Sequence, residues 1–307
     1  MNSNGRDARV DVLCFGMLSH VYYMVGGIPP HNGGAKLDAA WEWFGDDGAN
    51  IASLLCRWGL PAGLACTAVG GDDVGRRLVK RIGDLGIHGE VRVFEDLETE
   101  REVCVADPSG ARTFWQQRNP KVLATLATAD LSMLEGARML YVDWYDGEPI
   151  QRAIEEAVRL DVPVYFNAES RYDDDELVRR LAPLATFCQV SLDEPGVEAG
   201  EQAARIAESL LGRGISTAIV TRGSGGCLIS NGSTTAQCGT PDLPVVDGSG
   251  AGSAFSAGFI FAHFQGWSIE KCARFATATG SLKCARMGFD HLDTPEIEHL
   301  AASLPLT

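Results

Sequence analysis

Short apolar runs alternate with segments of helical periodicity through the second half of the chain. The runs, typical of buried strands, lie at 139–142, 162–167, 187–190 and 218–221. Segments with helical spacing separate them, near 149–160, 174–184 and 197–213. Strands that alternate with helices predict a parallel sheet with right-handed crossovers, and such sheets bind ligands at the carboxyl ends of their strands.

The first third of the chain continues this pattern with two strands and two helices. Short apolar runs predict buried strands at 11–15 and 62–69. Helical spacing predicts helices at 48–58 and 75–86, each of which ends beside a glycine. We therefore expect one α/β domain over residues 1–307.

Two insertions interrupt the pattern with alternating apolar and polar residues, which is typical of half-exposed strands. The segments are 20–25 and 36–44 in the first insertion, and 91–93, 102–105 and 112–115 in the second. Two β insertions in one α/β chain favour pairing with each other. We therefore predict one small β lid, built from insertions near 17–45 and 90–118.

Composition excludes several classes of protein. The net charge of −15 disfavours nucleic-acid binding, which needs clustered Lys and Arg, but it leaves room for a small anion held by backbone amides. An apolar run long enough to cross a membrane is missing, and the first residues lack the apolar core of a secretion signal. Nine scattered cysteines without metal-ligand spacing indicate reduced thiols, so we expect a cytoplasmic protein.

Residues 243–259 carry the most informative pattern. An apolar run, interpreted as a strand, ends in Asp247, and glycines at 248, 250 and 252 precede a helical segment. Consecutive N–H groups in such a turn, together with the dipole of the following helix, can hold a phosphoryl group. A plain strand-to-helix turn would use the same glycines. The spacing does not fit a dinucleotide fingerprint, a nucleophile elbow or a Walker A loop.

The turn and four other segments resemble the ribokinase-like (PfkB) family of small-molecule kinases. Residues 247–255, D-G-S-G-A-G-S-A-F, are similar to the family's D-T-x-G-A-G-D-x-F. Residues 45–52, G-D-D-G-A-N-I-A, resemble G-G-x-x-x-N-x-A, and an R-x-G follows at 57–59. The remaining matches are V-G-x-D-x-x-G at 69–75, T-x-G-x-x-G at 221–226 and the alanine-rich helix at 275–280.

The resemblance implies a ribokinase-like three-layer α/β sandwich with a mainly parallel central sheet and a small β-sheet lid. It implies transfer of a phosphoryl group from ATP, with Mg²⁺, to the hydroxymethyl group of a sugar or nucleoside. In that reading the backbone amides of Gly250, Ala251 and Gly252 stabilise the transferred group. The residues implied for the nucleotide are Thr221, Gly223, Gly226, Asp247 and Thr279. Those implied for the acceptor are His20, Gly48, Asn50 and Arg171, and Glu194 would act on Mg²⁺ through water.

Three departures concern the chemistry. Ser253 occupies the position of the family's catalytic aspartate, and a neutral hydroxyl cannot supply general-base catalysis worth about 10²–10⁴ in rate. Ser253 would suit a helix N-cap instead. The acceptor-binding aspartate of the family falls at Val21, beside His20, and Ser191 replaces the asparagine of N-x-x-E. His20 could serve as another base, although a lone histidine more often packs or lies on a surface.

Two functions therefore remain open. The chain is either an ATP-dependent kinase, slowed or using a rearranged base, or a catalytically silent relative that binds nucleotide or sugar as a sensor or partner protein. A dehydrogenase-type nucleotide binder is disfavoured by the missing fingerprint.

Four aromatic residues fall on the predicted lid: Trp41, Trp43, Phe114 and Trp115. They would pack on the body or on a second subunit, or else stack on a substrate ring such as a nucleobase. Because a small exposed sheet usually needs cover, we predict a homodimer through the lid.

Overall fold

The computed structural model describes residues 9–107, 111–171, 175–192 and 197–306. Its strands are β1 (Val12–Gly16), β2 (Ser19–Gly26), β3 (Leu37–Gly45), β4 (Ala62–Cys66), β5 (Val69–Gly70), β6 (Val93–Phe94), β7 (Arg101–Ala106), β8 (Arg112–Gln117), β9 (Met139–Asp143), β10 (Val164–Glu169), β11 (Phe187–Ser191), β12 (Thr217–Thr221), β13 (Cys227–Ser230) and β14 (Thr235–Cys238). Its α-helices are α1 (Asp47–Arg57), α2 (Asp73–Asp84), α3 (Pro120–Ala124), α4 (Pro149–Arg159), α5 (Asp175–Leu181), α6 (Val197–Gly212), α7 (Ala251–Phe264), α8 (Ile269–Ala285) and α9 (Thr294–Ser303).

The central sheet has eight strands in the order β14-β13-β12-β11-β10-β9-β1-β4. Neighbouring strands from β4 to β12 are parallel, and β13 and β14 extend the sheet antiparallel at one edge. The alternation of strands and helices predicted after residue 131 is confirmed. The carboxyl ends of the parallel strands consequently lie along one side of the sheet.

Both faces of this sheet are covered by helices. On β9, Tyr141 belongs to the core beneath α1, α7 and α8, whereas Leu140 and Val142 belong to the core beneath α4 and α6. The change of face at every residue is the period of two that a strand imposes. Two cores on opposite faces make the predicted three-layer sandwich.

A separate four-stranded sheet, which we call the lid, has the order β3-β2-β7-β8. Strand β2 joins the two insertions, pairing antiparallel with β3 and parallel with β7. The prediction that the insertions share one sheet is confirmed, but it was wrong for residues 91–93. There β6 pairs with β5 in a separate two-stranded sheet. The strand predicted at 62–69 is therefore divided: β4 ends at Cys66 in the central sheet, and β5 begins at Val69 in the other sheet.

The nine cysteines all carry free thiols, and seven of them are buried. Within the described ranges no helix has both the length and the apolar character needed to cross a membrane.

Candidate active site

The glycine-rich turn leads directly into α7. Gly250 has a φ of +74°, a left-handed conformation that favours glycine, and α7 begins at Ala251. No side chain of the described residues caps α7, and the Ala251 N–H makes only a long contact of 3.3 Å with the Gly248 carbonyl oxygen, so the first N–H groups can serve an anionic ligand. Ser253 was wrong as the N-cap, because Gly250 takes that position and Ser253 lies in the first turn. The strand expected to end at Asp247 does not form either, and residues 239–250 are irregular.

A buried ion pair fixes this turn to α8. Lys283 donates to Asp247 Oδ2 at 2.8 Å, and both side chains are 1% exposed. Asp247 Oδ1 accepts from the Ser249 N–H at 2.9 Å. The Phe289 ring packs so closely on the turn that a Cβ added at Gly250 would lie 2.4 Å from its Cζ. The turn is therefore held rigidly, and both carboxylate oxygens of Asp247 are occupied within the protein.

Ser253 contacts a carboxylate from another helix. Its Oγ donates to Asp47 Oδ1 at 2.5 Å, and Asp47 is the first residue of α1. Asp47 Oδ2 lies 3.4 Å from both the Tyr141 hydroxyl and Asn167 Nδ2. Burial raises the pKa of the Asp47 carboxyl, although the hydrogen bonds from Ser253 and Tyr141 oppose the shift. A carboxylate thus lies beside position 253 without being part of the glycine-rich motif.

Two further acids from the strand ends lie next to Asp47. Oxygen atoms of Asp47, Asp143 and Glu169 come within 4.8 Å of one another. Asp143 Oδ2 accepts from Asn167 Nδ2 at 2.7 Å and from the Tyr141 hydroxyl at 3.1 Å. Asp143 is 1% exposed, and burial followed by the charge of Asp47 raises its pKa well above the ordinary value. Asp47, Asp143 and Glu169 form what we call the acidic floor, beside the carboxyl ends of β9 and β10; Asp143 is buried and the other two acids are half-buried.

Asp46 and Asp146 extend this floor towards the lid. Burial raises the pKa of Asp146 to about 8, and the charge of Asp47 adds to the shift. Asp146 Oδ1 accepts from the Met17 N–H at 2.8 Å. Asp46, at the second glycine of the family's first motif, has a φ of +81° and accepts a hydrogen bond from Tyr145. Burial, and then the charge of Asp146, raises the pKa of Asp46 as well.

The sequence interpretation missed Asp47 and Asp143. Two signals were available: the Asp46-Asp47 doublet within the G-D-D-G-A-N-I-A segment, and the acid that ends the apolar run at 139–142. Neither signal indicates a functional role by itself, because Asp47, which lies beside Asp143, comes close to Ser253 only when α1 packs on α7, and a single motif does not reveal that packing.

The residues predicted for the acceptor do not all meet at this floor. His20 lies on β2, 3.1 Å from Glu42 Oε2 on β3, and burial lowers its pKa although Glu42 opposes the shift. Asn50 accepts from Trp43 Nε1 at 3.0 Å and so ties the lid to α1. Gly48 packs α1 on β1, since a Cβ there would lie 3.6 Å from the Cβ of Cys14.

Arg171 follows β10 and stacks on an aromatic ring. Its guanidinium carbon lies 4.3 Å from the centroid of Trp144, whose Nε1 is 3.4 Å from Glu169 Oε2. Arg171 is therefore near the acidic floor.

Four of the five residues predicted for the nucleotide lie along β12, the turn that follows it, and α8; the fifth, Asp247, lies in the glycine-rich turn with both carboxylate oxygens bonded inside the protein. Thr221 Oγ1 donates to Ser191 Oγ at 3.0 Å. Gly223 and Gly226 have positive φ values of 52° and 83°. Thr279 is fully buried, and its hydroxyl donates to the Phe275 carbonyl oxygen within α8 at 2.7 Å, so the hydroxyl is already bonded inside the helix.

Glu194, predicted to act on Mg²⁺ through water, lies outside the described residues. The uncapped start of α7 suits the phosphate oxygens of a nucleotide, and Mg²⁺, which prefers oxygen ligands, would be held through those phosphate oxygens. We treat the acidic floor as part of the acceptor side and assign no metal ion to it.

The lid aromatics divide into two pairs. Trp43 is buried and stacks on Phe289 with ring centroids 6.2 Å apart, and Trp41 stacks on Tyr23 at 5.1 Å. Phe114 and Trp115 on β8 are instead 45% and 51% exposed.

Comparison with known proteins agrees with this geometry. The chain is 25% identical to fructosamine kinase FrlD of Bacillus subtilis over 80% of its own length and 84% of that protein. Its fold is that of a Burkholderia thailandensis nucleoside kinase solved with inosine (TM-score 0.76, 20% identity, 93% and 95% of the two chains). It is also that of Arabidopsis thaliana ribokinase solved with ribose and ATP (TM-score 0.74, 18% identity, 96% and 99%). Residues 12–296 match the pfkB family of carbohydrate kinases, and the chain belongs to that family.

Proposed function

We propose that this protein is an ATP-dependent phosphotransferase that acts, with Mg²⁺, on a hydroxymethyl group of a sugar-like or nucleoside-like alcohol. The observation that carries the proposal is the meeting of two features at one place. The uncapped start of α7, suited to a phosphoryl group, adjoins the partly buried Ser253–Asp47 contact, which lies beside Asp143 and Glu169 at the carboxyl ends of β9 and β10. Acceptor and phosphoryl group would meet there.

The residues of the chain divide the work. When bound, ATP with Mg²⁺ supplies the phosphoryl group. The N–H groups of Gly250, Ala251 and Gly252 would donate to its oxygens as negative charge develops on them. Because the Lys283–Asp247 pair and Phe289 hold the turn, these donors need little reorganisation. The lid, tied to α1 through Trp43 and Asn50, would exclude water from the acceptor.

The acidic floor bears on the kind of acceptor. Asp47, Asp143 and Glu169 bring carboxyl oxygens within 4.8 Å of one another, so an anionic acceptor beside them would add negative charge to an already acidic cluster. A neutral polyol can donate hydroxyl hydrogen bonds to these oxygens, and an ammonium group can compensate their charge. We therefore favour neutral sugars, amino sugars and nucleosides over sugar acids. The relative named fructosamine kinase supports including amino sugars among the candidates.

The test is ADP release from Mg·ATP with a panel of neutral sugars, amino sugars, sugar acids and nucleosides. Turnover with a neutral or amino acceptor supports the proposal, and turnover with sugar acids alone contradicts the acceptor class. Ser253→Asp is assayed in parallel. Activity in that variant alone would favour the silent relative, which the loss of the aspartate at 253 makes the second candidate. Calorimetric titration with ATP would then establish whether this relative retains nucleotide binding.

A dimer through the lid is part of the proposal. Strand β8 is an edge strand exposed along its whole length, with Phe114 and Trp115 presented to solvent. Light scattering should give twice the chain mass, and Trp115→Lys should shift it towards the monomer. A monomeric wild-type protein would contradict the dimer. We place the protein in the cytoplasm, where ATP is available and nine free thiols stay reduced.

A further inference from the structure

Position 253 raises a question that rests on the proposed function: which group accepts the proton of the attacking hydroxyl? Serine is a poor proton acceptor near neutral pH, and losing a general base costs about 10²–10⁴ in rate. An active enzyme therefore needs a carboxylate or imidazole within reach of the start of α7.

Asp47 is the group that the geometry offers. Its Oδ1 accepts the Ser253 hydroxyl at 2.5 Å, which is short enough for a hydrogen bond to a charged acceptor. Ser253 is 1% exposed and Asp47 is half-buried, so the hydroxyl itself is shielded from solvent. Asp47 is held at the first position of α1 and faces Asn167 and Tyr141, both of which end in hydrogen-bond donors.

Other candidate bases are engaged elsewhere. His20 is paired with Glu42 inside the lid. Both oxygens of Asp247 are bonded, to Lys283 and to a backbone N–H. Asp143 has Asp47 and Asn167 as its neighbours and has no described contact with position 253.

We propose that Asp47 and Ser253 together replace the missing aspartate, with Asp47 as the final proton acceptor and Ser253 as the relay. The acceptor O–H bond breaks as its proton passes to Ser253 Oγ, and the Ser253 proton passes to Asp47 Oδ1. The acceptor oxygen bonds to the γ-phosphorus while the bond from that phosphorus to the β–γ bridging oxygen breaks. That electron pair leaves with ADP. Asp47 ends neutral and returns its proton to solvent after product release.

Burial supports this role, because a carboxyl whose pKa is raised is a stronger base when it is ionised. The start of α1 adds the positive end of a helix dipole, which holds the ionised form in place. The pair therefore combines a half-buried base with a hydroxyl already aligned to it.

The experiment uses the full chain and the acceptor found in the panel. Asp47→Asn keeps the shape and removes the base, so kcat should fall by about 10²–10⁴ with little change in the KM for ATP. Ser253→Ala should also lower kcat by about tenfold or more, because it breaks the relay. The charge-matched control is Asp11→Asn, at the amino end of β1 and paired with Arg138, which should leave kcat unchanged.

A rescue variant separates the base from mere structure. Asp47→Asn combined with Ser253→Asp places one carboxylate at the family's usual position and should recover at least about tenfold of the lost kcat. Recovery would support the replacement, since a variant that had only lost its fold would not regain activity. Full activity in Asp47→Asn would overturn Asp47 as the acceptor, and full activity in Ser253→Ala would overturn the relay. A wild-type chain without turnover would instead refute the proposed function, and circular dichroism on each variant excludes unfolding.

Discussion

Replacing Asp146 by asparagine measures how far the ionisation of this acid lowers the free energy of unfolding. Burial raises the pKa of this carboxyl from 3.8 to about 8, so the folded chain binds its proton more tightly than the unfolded chain does. The free energy of unfolding gained in this way is fully present below about pH 4 and is lost as the pH rises towards about 8. One such group changes the free energy of unfolding by up to about 1.4 kcal/mol per pH unit within that window.

Between about pH 5 and about pH 7 the wild-type protein should therefore lose up to about 2.7 kcal/mol that the Asp146→Asn variant keeps. The side-chain amide oxygen introduced by this substitution can still accept the hydrogen bond that the Met17 N–H makes to Asp146, so geometry is preserved. Urea unfolding followed by tryptophan fluorescence at both pH values gives the comparison. Asp11→Asn is the control and should follow the wild-type slope. If the free energy of unfolding of Asp146→Asn fell with pH as much as that of the wild-type protein, the raised pKa of Asp146 would be refuted as the cause.

Three other substitutions test the frame of the site. Lys283→Met leaves the buried Asp247 carboxylate uncompensated and should lower the free energy of unfolding in urea by about 3–5 kcal/mol. Adding Asp247→Asn should recover part of this loss, and an unchanged urea midpoint in Lys283→Met would contradict a stabilising ion pair. Gly250→Ala places a Cβ against Phe289 at a φ of +74°, so the free energy of unfolding should fall by about 1–2 kcal/mol. The rate of ADP release should fall as well, and a wild-type rate would refute the need for a rigid turn. Asp72→Ala removes the N-cap of α2, whose carboxylate accepts from the Gly75 N–H at 2.8 Å, and should lower the free energy of unfolding by about 1 kcal/mol at pH 7. The loss should be smaller at low pH, where the wild-type carboxylate is protonated, and a loss independent of pH would contradict an ionic cap.

Most of the fold follows from local patterns in the chain. Strands such as β9 and β10 are short apolar runs that fill both faces of a sheet, and the helices between them carry one apolar stripe. The end of the strand predicted at 62–69 was harder to place, because Val69 pairs with the separate strand β6, whereas Ala62–Cys66 pairs with β1 in the central sheet. Periodicity reports how a segment is buried, but not which strand it pairs with.

The glycine-rich turn could also be predicted, since a φ of +74° at Gly250 is a property that glycine signals in sequence. The acceptor side could not. His20 was a candidate because of its type, yet its environment is set by Glu42 on the neighbouring lid strand. Asp47 and Ser253 are separated by 206 residues, and only tertiary packing brings them together.

The carboxylate's change of position has a physical logic in the packing of two helix starts. Helices α1 and α7 begin beside each other, and the positive end of each dipole favours an anion at the same place. A carboxylate can therefore come from either helix and still face the phosphoryl site, provided the other helix carries a small residue. Ser253→Asp alone breaks that condition, because two buried carboxylates would meet and one of them must take up a proton. The single variant should consequently turn over more slowly than the double variant with Asp47→Asn, and the reverse order would show that the two positions are not alternatives.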